Sequence, residues 1–127
     1  MTEPRFLLDT NICVYLAESL SGKLHDHVEQ CEVGELVTSS IVFAEFARGI
    51  DWAQPQAEET VAQLFGAIAV LPFDTNAARA YASLPFERHS FDQLIAAHAL
   101  ALDLTLVTAN GRDFRDIPTL RIEDWTA

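Results

Sequence analysis

Short apolar runs alternate with helical patterns along this chain, and the alternation predicts its main elements. Phe6-Leu7-Leu8 forms the first apolar run, and three turn- and cap-forming residues separate it from a helical stretch over 12–20. A second amphipathic stretch follows Gly22 and is closed by Gly34. The chain is therefore predicted to begin with a strand followed by two helices.

The same order returns in the rest of the chain. Leu36-Val37 predicts a second strand, and Ser39 or Ser40 can cap the helix that follows and ends at Gly49. Further helix starts are predicted at Pro55, at Asp74 or Thr75, and at Ser90, which caps a helix over 91–102. Further strands are predicted at 68–71, at 104–107 and near 120–122.

Strands that alternate with helices of about 10 residues imply right-handed crossovers and a largely parallel sheet covered on both faces. The predicted fold class is α/β, a three-layer α/β/α arrangement around a short, mainly parallel sheet of about four to five strands. Functional sites in such sheets form at the carboxyl ends of the strands. Candidate chemistry is therefore expected at that edge.

Composition fits a single compact domain. The 127 residues are 50% hydrophobic, which suits one domain over residues 1–127. No apolar run approaches the roughly 20 residues of a membrane helix, and residues 1–5 lack the features of a signal peptide, so we expect a cytoplasmic protein. Cys13 and Cys31 match no disulfide framework or Cys-x-x-Cys motif, and we expect two buried free thiols.

The charge balance restricts how this chain can meet a nucleic acid. A net charge of −11, with 19 Asp plus Glu against 8 Lys plus Arg, argues against binding through a basic face. Nucleic-acid chemistry remains open if part of the negative charge is gathered into a site for divalent cations, because the metal then meets the phosphate. The excess of acids also favours a basic partner protein.

Four acids lie where simple solvent exposure explains them least: Asp9, Glu45, Asp92 and Asp113. Asp9 directly follows the first strand and can also be an N-cap, although Thr10 or Asn11 can cap instead. Glu45 is the only acid in an otherwise apolar helix, and contact with Arg48 is its alternative explanation.

The other two acids also have ordinary explanations. Asp92 lies in the first turn of a helix, where the helix dipole favours an acid in any case. Asp113 follows the strand ending at Val107 and can be an exposed loop acid. Jointly, however, a parallel sheet brings all four to one edge, where carboxylates repel one another unless a cation neutralises them. Oxygen ligands select magnesium or manganese, which support phosphodiester hydrolysis.

Four segments carry a family resemblance: Phe6-Leu7-Leu8-Asp9-Thr10-Asn11, Ser39-Ser40 with Ala44-Glu45-Phe46, Asp92-Gln93-Leu94-Ile95-Ala96-Ala97-His98-Ala99, and Leu106-Val107-Thr108. In this order and spacing they resemble the PIN-domain family, specifically VapC-type toxins, across essentially the whole chain. The resemblance implies that Asp9, Glu45 and Asp92 are catalytic metal ligands, with Asp113 as the more variable fourth acid.

The resemblance also implies supporting residues and partners. Asn11 and Thr108 support the site, Asn110 stands where some relatives carry an acid, and Asp116 is a weaker substitute for Asp113. The implied activity is cleavage of structured RNA, commonly transfer RNA, with Mg²⁺ or Mn²⁺. The implied partners are a second copy of the chain and a VapB-like antitoxin, which often inserts a basic side chain into the acidic site.

Several residues have competing interpretations. Phosphate contacts are open to Arg48, Arg79, Arg88, Arg112 and Arg115, although solvated surface is the more ordinary explanation for each. His98 is interpreted as a packed or hydrogen-bonded core residue rather than a general base. The outer faces of the early helices, including Val14, Leu16 and Phe46, are expected to leave a groove for a second chain.

Two other functions compete with the nuclease hypothesis. A haloacid-dehalogenase type phosphatase also begins with an acid after its first strand, but it needs a second Asp two residues later, where this chain has Asn11. It also needs a suitably placed lysine, and the only lysine of this chain, Lys23, is not at such a position. An inactive PIN-like binding module is the second alternative. Retention of four mutually repelling acids argues against it.

Overall fold

The computed structural model describes residues 2–84 and 90–127, and a parallel sheet forms its centre. The strands are β1 (Phe6–Leu8), β2 (Leu36–Ser39), β3 (Ala69–Leu71), β4 (Thr105–Val107) and β5 (Ile122–Glu123). Their order is β3-β2-β1-β4-β5, and every neighbouring pair is parallel. The predicted α/β fold class is confirmed.

Helices form the crossovers between these strands. The α-helices are α1 (Thr10–Glu18), α2 (Gly22–Glu29), α3 (Ser40–Gly49), α4 (Ala57–Ala67), α5 (Thr75–Ala82) and α6 (Phe91–Ala101). A 3₁₀ helix, Gly111–Phe114, lies between β4 and β5. Because all strands run in one direction, their carboxyl ends share one edge of the sheet. No helix among residues 2–84 and 90–127 is both long and apolar enough to cross a membrane.

The central strand β1 is buried on both of its faces. Phe6 is 9% exposed, and Leu7 and Leu8 are fully buried, although successive side chains on a strand point to opposite faces. Leu7 pairs in register with Val37 of β2 and Leu106 of β4. Each fully buried side chain of this kind contributes about 1.5–3 kcal/mol. Helices must therefore cover the sheet on both sides, as a three-layer fold requires.

Side-chain caps begin five of these α-helices, at Asp9, Ser21, Ser39, Asp74 and Ser90. Ser90 and Gln93 form a reciprocal capping box at the start of α6. Helix α4 begins at Ala57 without a side-chain cap. The prediction that Pro55 lies in the first turn of this helix is wrong. Pro55 lies in the turn that precedes α4, and the fixed φ of proline is equally suitable there.

Burial differs from the sequence prediction at three positions. Leu16 is 9% exposed and Phe46 is 5% exposed, and both belong to the hydrophobic core, since α1 and α3 pack against each other. The expectation that these two residues face a second chain is wrong. Cys13 is buried as expected, but Cys31 lies beyond the end of α2 and is partly exposed.

Candidate active site

Hydrogen bonds between neighbouring strands fix the edge of the sheet at which Asp9 lies. Thr38 Oγ1 of β2 donates to Leu8 O of β1 at 2.7 Å. The Asp9 N–H donates to Val107 O of β4 at 3.1 Å. Asp9 therefore continues β1 by one residue and is held against the strand that ends beside it.

Asp9 itself caps α1, and Thr108 supports it from the next strand. Asp9 is 5% exposed, and its Oδ1 accepts the Ile12 N–H at 3.0 Å. The hydroxyl of Thr108, which is fully buried, donates to the Asp9 carboxylate. Thr108 Oγ1 also accepts the Asn110 N–H at 3.0 Å. The capping explanation and the site explanation for Asp9 thus hold together.

Burial makes this carboxyl group a weaker acid than usual. Burial raises the pKa of Asp9 to about 6; the hydrogen bonds from Thr108 and Ile12 oppose this, and the Asp92 and Glu45 carboxylates add to it. Burial, together with Asp9, also raises the pKa of the Cys13 thiol to about 12. Cys13 is therefore excluded as a nucleophile near neutral pH.

Glu45 is held by Thr10, which the sequence predicted only as a possible helix cap. Thr10 Oγ1 donates to Glu45 Oε1 at 2.7 Å, which joins the start of α1 to the middle of α3. The predicted alternative, an ion pair between Glu45 and Arg48, is absent from the part of the chain that the structure describes. The Glu45 side chain is thereby oriented toward the edge where Asp9 lies.

Asp92 and Asp113 approach from the other side of β1. Asp92 lies in the first turn of α6, and Asp113 lies in the 3₁₀ helix after β4. Partial burial of its carboxyl group, followed by the Asp113 carboxylate, raises the pKa of Asp92 even though the residue as a whole is exposed. The electrostatic coupling indicates that these two carboxylates lie near each other.

A cavity of about 170 Å³ brings the sequence-predicted acids together. It is lined by Asp9, Thr10, Asn11, Glu45, Asp92, Asn110 and Asp113. Asp116 is exposed and does not line it. Thr10 and Asn110 are the lining residues that sequence reasoning did not assign to the site. The motif Leu-Asp-Thr-Asn places Thr10 beside Asp9 and could have indicated a role for Thr10 in the site. However, Glu45, to which Thr10 donates its hydrogen bond, is 35 residues away in the chain.

The donor set of this cavity fits a hard divalent cation. Four carboxylates with threonine hydroxyl and asparagine groups offer oxygen ligands of the kind that magnesium and manganese prefer. No three His, Cys, Asp or Glu side chains within residues 2–84 and 90–127 form a preformed metal cluster. The acids thus share the walls of one cavity without the closed geometry of a coordination sphere.

A buried histidine joins the two helices that present Glu45 and Asp92. His98 of α6 is 1% exposed, and its Nδ1 is hydrogen-bonded to Oγ of Ser39, the N-cap of α3, at 2.8 Å. Burial lowers the pKa of His98, and Asp74 opposes this shift. The interpretation of His98 as a packed, hydrogen-bonded core residue is confirmed.

The arginines considered for phosphate contacts are placed unequally. Arg48 lines a cavity that also contains Glu45. Arg79, Arg112 and Arg115 are exposed and line none of the cavities described at this edge. Arg88 lies outside the described residues. Arg48 is therefore the best-placed cation of the described set.

Sequence comparison places the chain among known proteins. A family model described as "PIN domain" matches residues 6–120. The "tRNA(fMet)-specific endonuclease VapC" of Shigella flexneri is 31% identical, over 96% of this chain and 98% of that protein. "Ribonuclease VapC2" of Rickettsia felis is 30% identical, over 94% of this chain and 97% of that protein.

Solved structures give the same result. The structure of VapBC2 from Rickettsia felis bound to a DNA fragment from their promoter matches with a TM-score of 0.82 and 28% identity, over 94% of this chain and 98% of the other. DNA-bound VapBC from Salmonella typhimurium matches with a TM-score of 0.81 and 30% identity, over 96% and 98% of the two chains. The chain therefore belongs to the PIN-domain family.

Proposed function

We propose that this chain is a metal-dependent endoribonuclease and the toxin of a toxin–antitoxin pair. The observation that carries the proposal is the single cavity lined by Asp9, Glu45, Asp92 and Asp113, which come from four separate segments. The similarity of the chain to proteins named as VapC ribonucleases supports RNA as the substrate. Membership in the PIN-domain family favours this function over the phosphatase alternative.

Magnesium or manganese is the proposed cofactor, and the four acids are its proposed ligands. When bound, such an ion supplies Lewis-acid catalysis and neutralises charge during phosphodiester hydrolysis. The raised pKa of Asp9 means that this carboxyl must lose its proton before it can serve as a ligand. At metal concentrations that do not saturate the site, activity is therefore expected to fall as the pH is lowered through about 6, because protons compete with the metal for Asp9.

The uncharged residues around the cavity have positioning roles in this proposal. Thr108 directs one oxygen of Asp9 and is itself fixed by the Asn110 N–H. Thr10 directs Glu45. Asn11 supplies a polar group on the cavity wall. These contacts hold the carboxylates in position despite their mutual repulsion.

The proposed partners follow from the charge and from the relatives. Transfer RNA is the proposed substrate class, because a relative with 31% identity is named as specific for tRNA(fMet). A VapB-like antitoxin is the proposed protein partner, since similar solved structures are VapBC complexes. A net charge of −11 suits an antitoxin that presents a basic side chain to the acids. We propose a homodimer or a hetero-oligomer with the antitoxin.

Cleavage of purified total RNA tests this function. The protein is incubated with Mg²⁺, with Mn²⁺ and with a chelator, beside Asp9→Asn and the matched control Asp116→Asn, an exposed acid outside the cavity. We expect discrete cleavage products that form only when metal and Asp9 are both present. The D116N variant is expected to give the same products. Sequencing the product ends then identifies the target RNA.

The alternative of an inactive binding module gives a different result. A folded protein that cleaves no RNA under any of these conditions, and whose melting temperature does not rise with Mg²⁺ or Mn²⁺, contradicts the proposed function. Products that persist in the chelator contradict the metal requirement alone.

A further inference from the structure

We propose that Phe91 is a stacking platform for an unpaired base of the RNA substrate and that Arg48 contacts a neighbouring phosphate. This inference rests on the proposed function, because it assigns a substrate-binding role to the surface beside the acidic cavity. Phe91 is the residue immediately before Asp92, and consecutive Cα atoms are about 3.8 Å apart. The platform therefore directly adjoins the proposed chemistry.

Phe91 is the one large apolar side chain of α6 that is exposed. Ile95, Ala96, Ala97 and Ala99 of this helix are fully buried, whereas Phe91 is 56% exposed. Phe91 is thus not required by the core, and its ring leaves apolar surface in contact with solvent. Among the exposed large apolar residues of the described chain, it alone lines the cavities beside the acids.

Two cavities meet at Phe91. One, of about 550 Å³, extends past Ser90, Asp92 and Leu94; the other, of about 610 Å³, extends past Arg48. Both also contain Glu45, which in turn lines the acidic cavity. Volumes of this size fall within the roughly 300–1,000 Å³ of small-ligand sites. The three cavities are therefore neighbours that share Glu45, and Phe91 lines the two larger ones.

The chemistry of this surface favours an RNA strand as its occupant. A chain with a net charge of −11 gains little from general attraction to phosphates, so it needs contacts that do not depend on charge. Base stacking on an aromatic ring is such a contact, and it is tolerant of base identity. Arg48 adds one local positive charge on the same surface, where a phosphate next to a stacked base can reach it.

Steady-state cleavage of a short single-stranded RNA that spans the mapped cleavage site tests the inference. Phe91→Ala is expected to raise KM about 5- to 150-fold with kcat nearly unchanged, because stacking is lost equally from the bound substrate and the transition state. Phe91→Trp is expected to retain a near-normal KM. Trp52→Ala is the matched control, since Trp52 is an exposed aromatic residue that lines neither cavity.

A spectroscopic readout separates stacking from a merely structural role. In the Asp9→Asn background, which prevents cleavage, the same RNA carries 2-aminopurine at successive positions. The fluorescence of 2-aminopurine at one position is expected to be quenched by the protein that keeps Phe91 and by F91W. This quenching is expected to disappear with F91A. Arg48→Gln is expected to lower the salt dependence of binding by about 0.7 in slope, whereas F91A is expected to leave that slope unchanged.

The failure of this inference differs from the failure of the proposed function. If the wild-type protein cleaves RNA but F91A has an unchanged KM and unchanged quenching, the stacking role is overturned. If F91A weakens capture of the co-expressed antitoxin and leaves KM unaltered, Phe91 belongs to a protein interface instead. A wild-type protein without any cleavage overturns the proposed function first.

Discussion

At the residue scale, the carboxyl group of Asp9 serves two purposes at once. It caps α1 through Ile12, and it lies beside Glu45 and Asp92 in the acidic cavity. Burial and these neighbours raise its pKa to about 6, so the ionised form destabilises the folded chain when no cation is bound. The residue that caps the helix thus also carries a charge that the metal-free fold disfavours.

Replacement of Asp9 by Asn is expected to stabilise the metal-free protein. Asn remains a good N-cap, and the removed charge is worth about 3 kcal/mol at most above pH 6, at about 1.36 kcal/mol per pKa unit. The sign follows from a folded-state pKa that is raised: the penalty is complete above about pH 6 and absent below 3.8, where both states hold the proton.

The measurement is urea unfolding of both proteins in a chelator between pH 4 and pH 8. The stability advantage of D9N should grow as the pH rises through this window. An advantage that is equal at both ends of the range would mean that the Asp9 charge is not strained in the folded state.

Thr10 is expected to control the reaction through Glu45. Thr10→Val removes the 2.7 Å hydrogen bond to Glu45 Oε1 while preserving the shape of the side chain. A hydrogen bond to a charged group is worth about 1.5–3 kcal/mol, so a loss of about tenfold or more in single-turnover RNA cleavage is expected. Thr10→Ser keeps the hydroxyl and should retain most of the rate. Equal rates for T10V and T10S would remove Thr10 from the positioning role.

At the element scale, the site depends on how α1, α3 and α6 begin. Each of these helices starts at the carboxyl edge of the sheet with a capping side chain: Asp9, Ser39 and Ser90. The first turns of α1 and α6 therefore present Thr10, Asn11 and Asp92 to one region, and α3 presents Glu45 to it from its second turn. His98 then ties α6 to α3 through Ser39, which fixes the separation of the helices that carry Asp92 and Glu45.

His98→Ala is expected to destabilise the fold by about 2–4 kcal/mol, because it leaves a cavity and breaks the buried bond to Ser39. His98→Asn can restore a polar atom near the position of Nδ1 and is expected to recover part of this loss. Chemical denaturation of the three proteins at pH 7.5 provides the comparison. Equal stability of H98A and wild type would show that this contact does not join the helices.

Much of this arrangement could be predicted from the sequence, because it depends on residues that are close together in the chain. Periodicity, caps and the order of strands depend on neighbours in the chain, and they placed Asp9, Asp92 and Ser90 correctly. The Thr10–Glu45 bond spans 35 residues and depends on how α1 packs on α3, which no local pattern determines. The same packing of α1 on α3 buries Leu16 and Phe46. The local pattern does not show this packing, and it therefore predicts wrongly that both residues face a second chain.

At the scale of the whole molecule, the parallel sheet brings four of the chain's 19 acidic residues into one site. Acids that are up to 104 residues apart, from Asp9 to Asp113, line one cavity because their strands and crossovers end at the same edge. A net charge of −11 opposes RNA binding, and the proposed divalent cation, if held by these four acids, would offset part of that repulsion at the site itself.

Single-turnover cleavage of one mapped RNA in Mn²⁺ shows whether the four cavity acids carry out the reaction. The rates of Asp9→Asn, Glu45→Gln, Asp92→Asn and Asp113→Asn are compared with those of Asp116→Asn and the unchanged protein, after each is shown to be folded. We predict that the four cavity variants lose at least about 100-fold, as expected for loss of the proposed metal-dependent chemistry, while D116N keeps the wild-type rate. Wild-type cleavage by any of the four variants, or an equal loss in D116N, would contradict the assignment of this cavity as the active site.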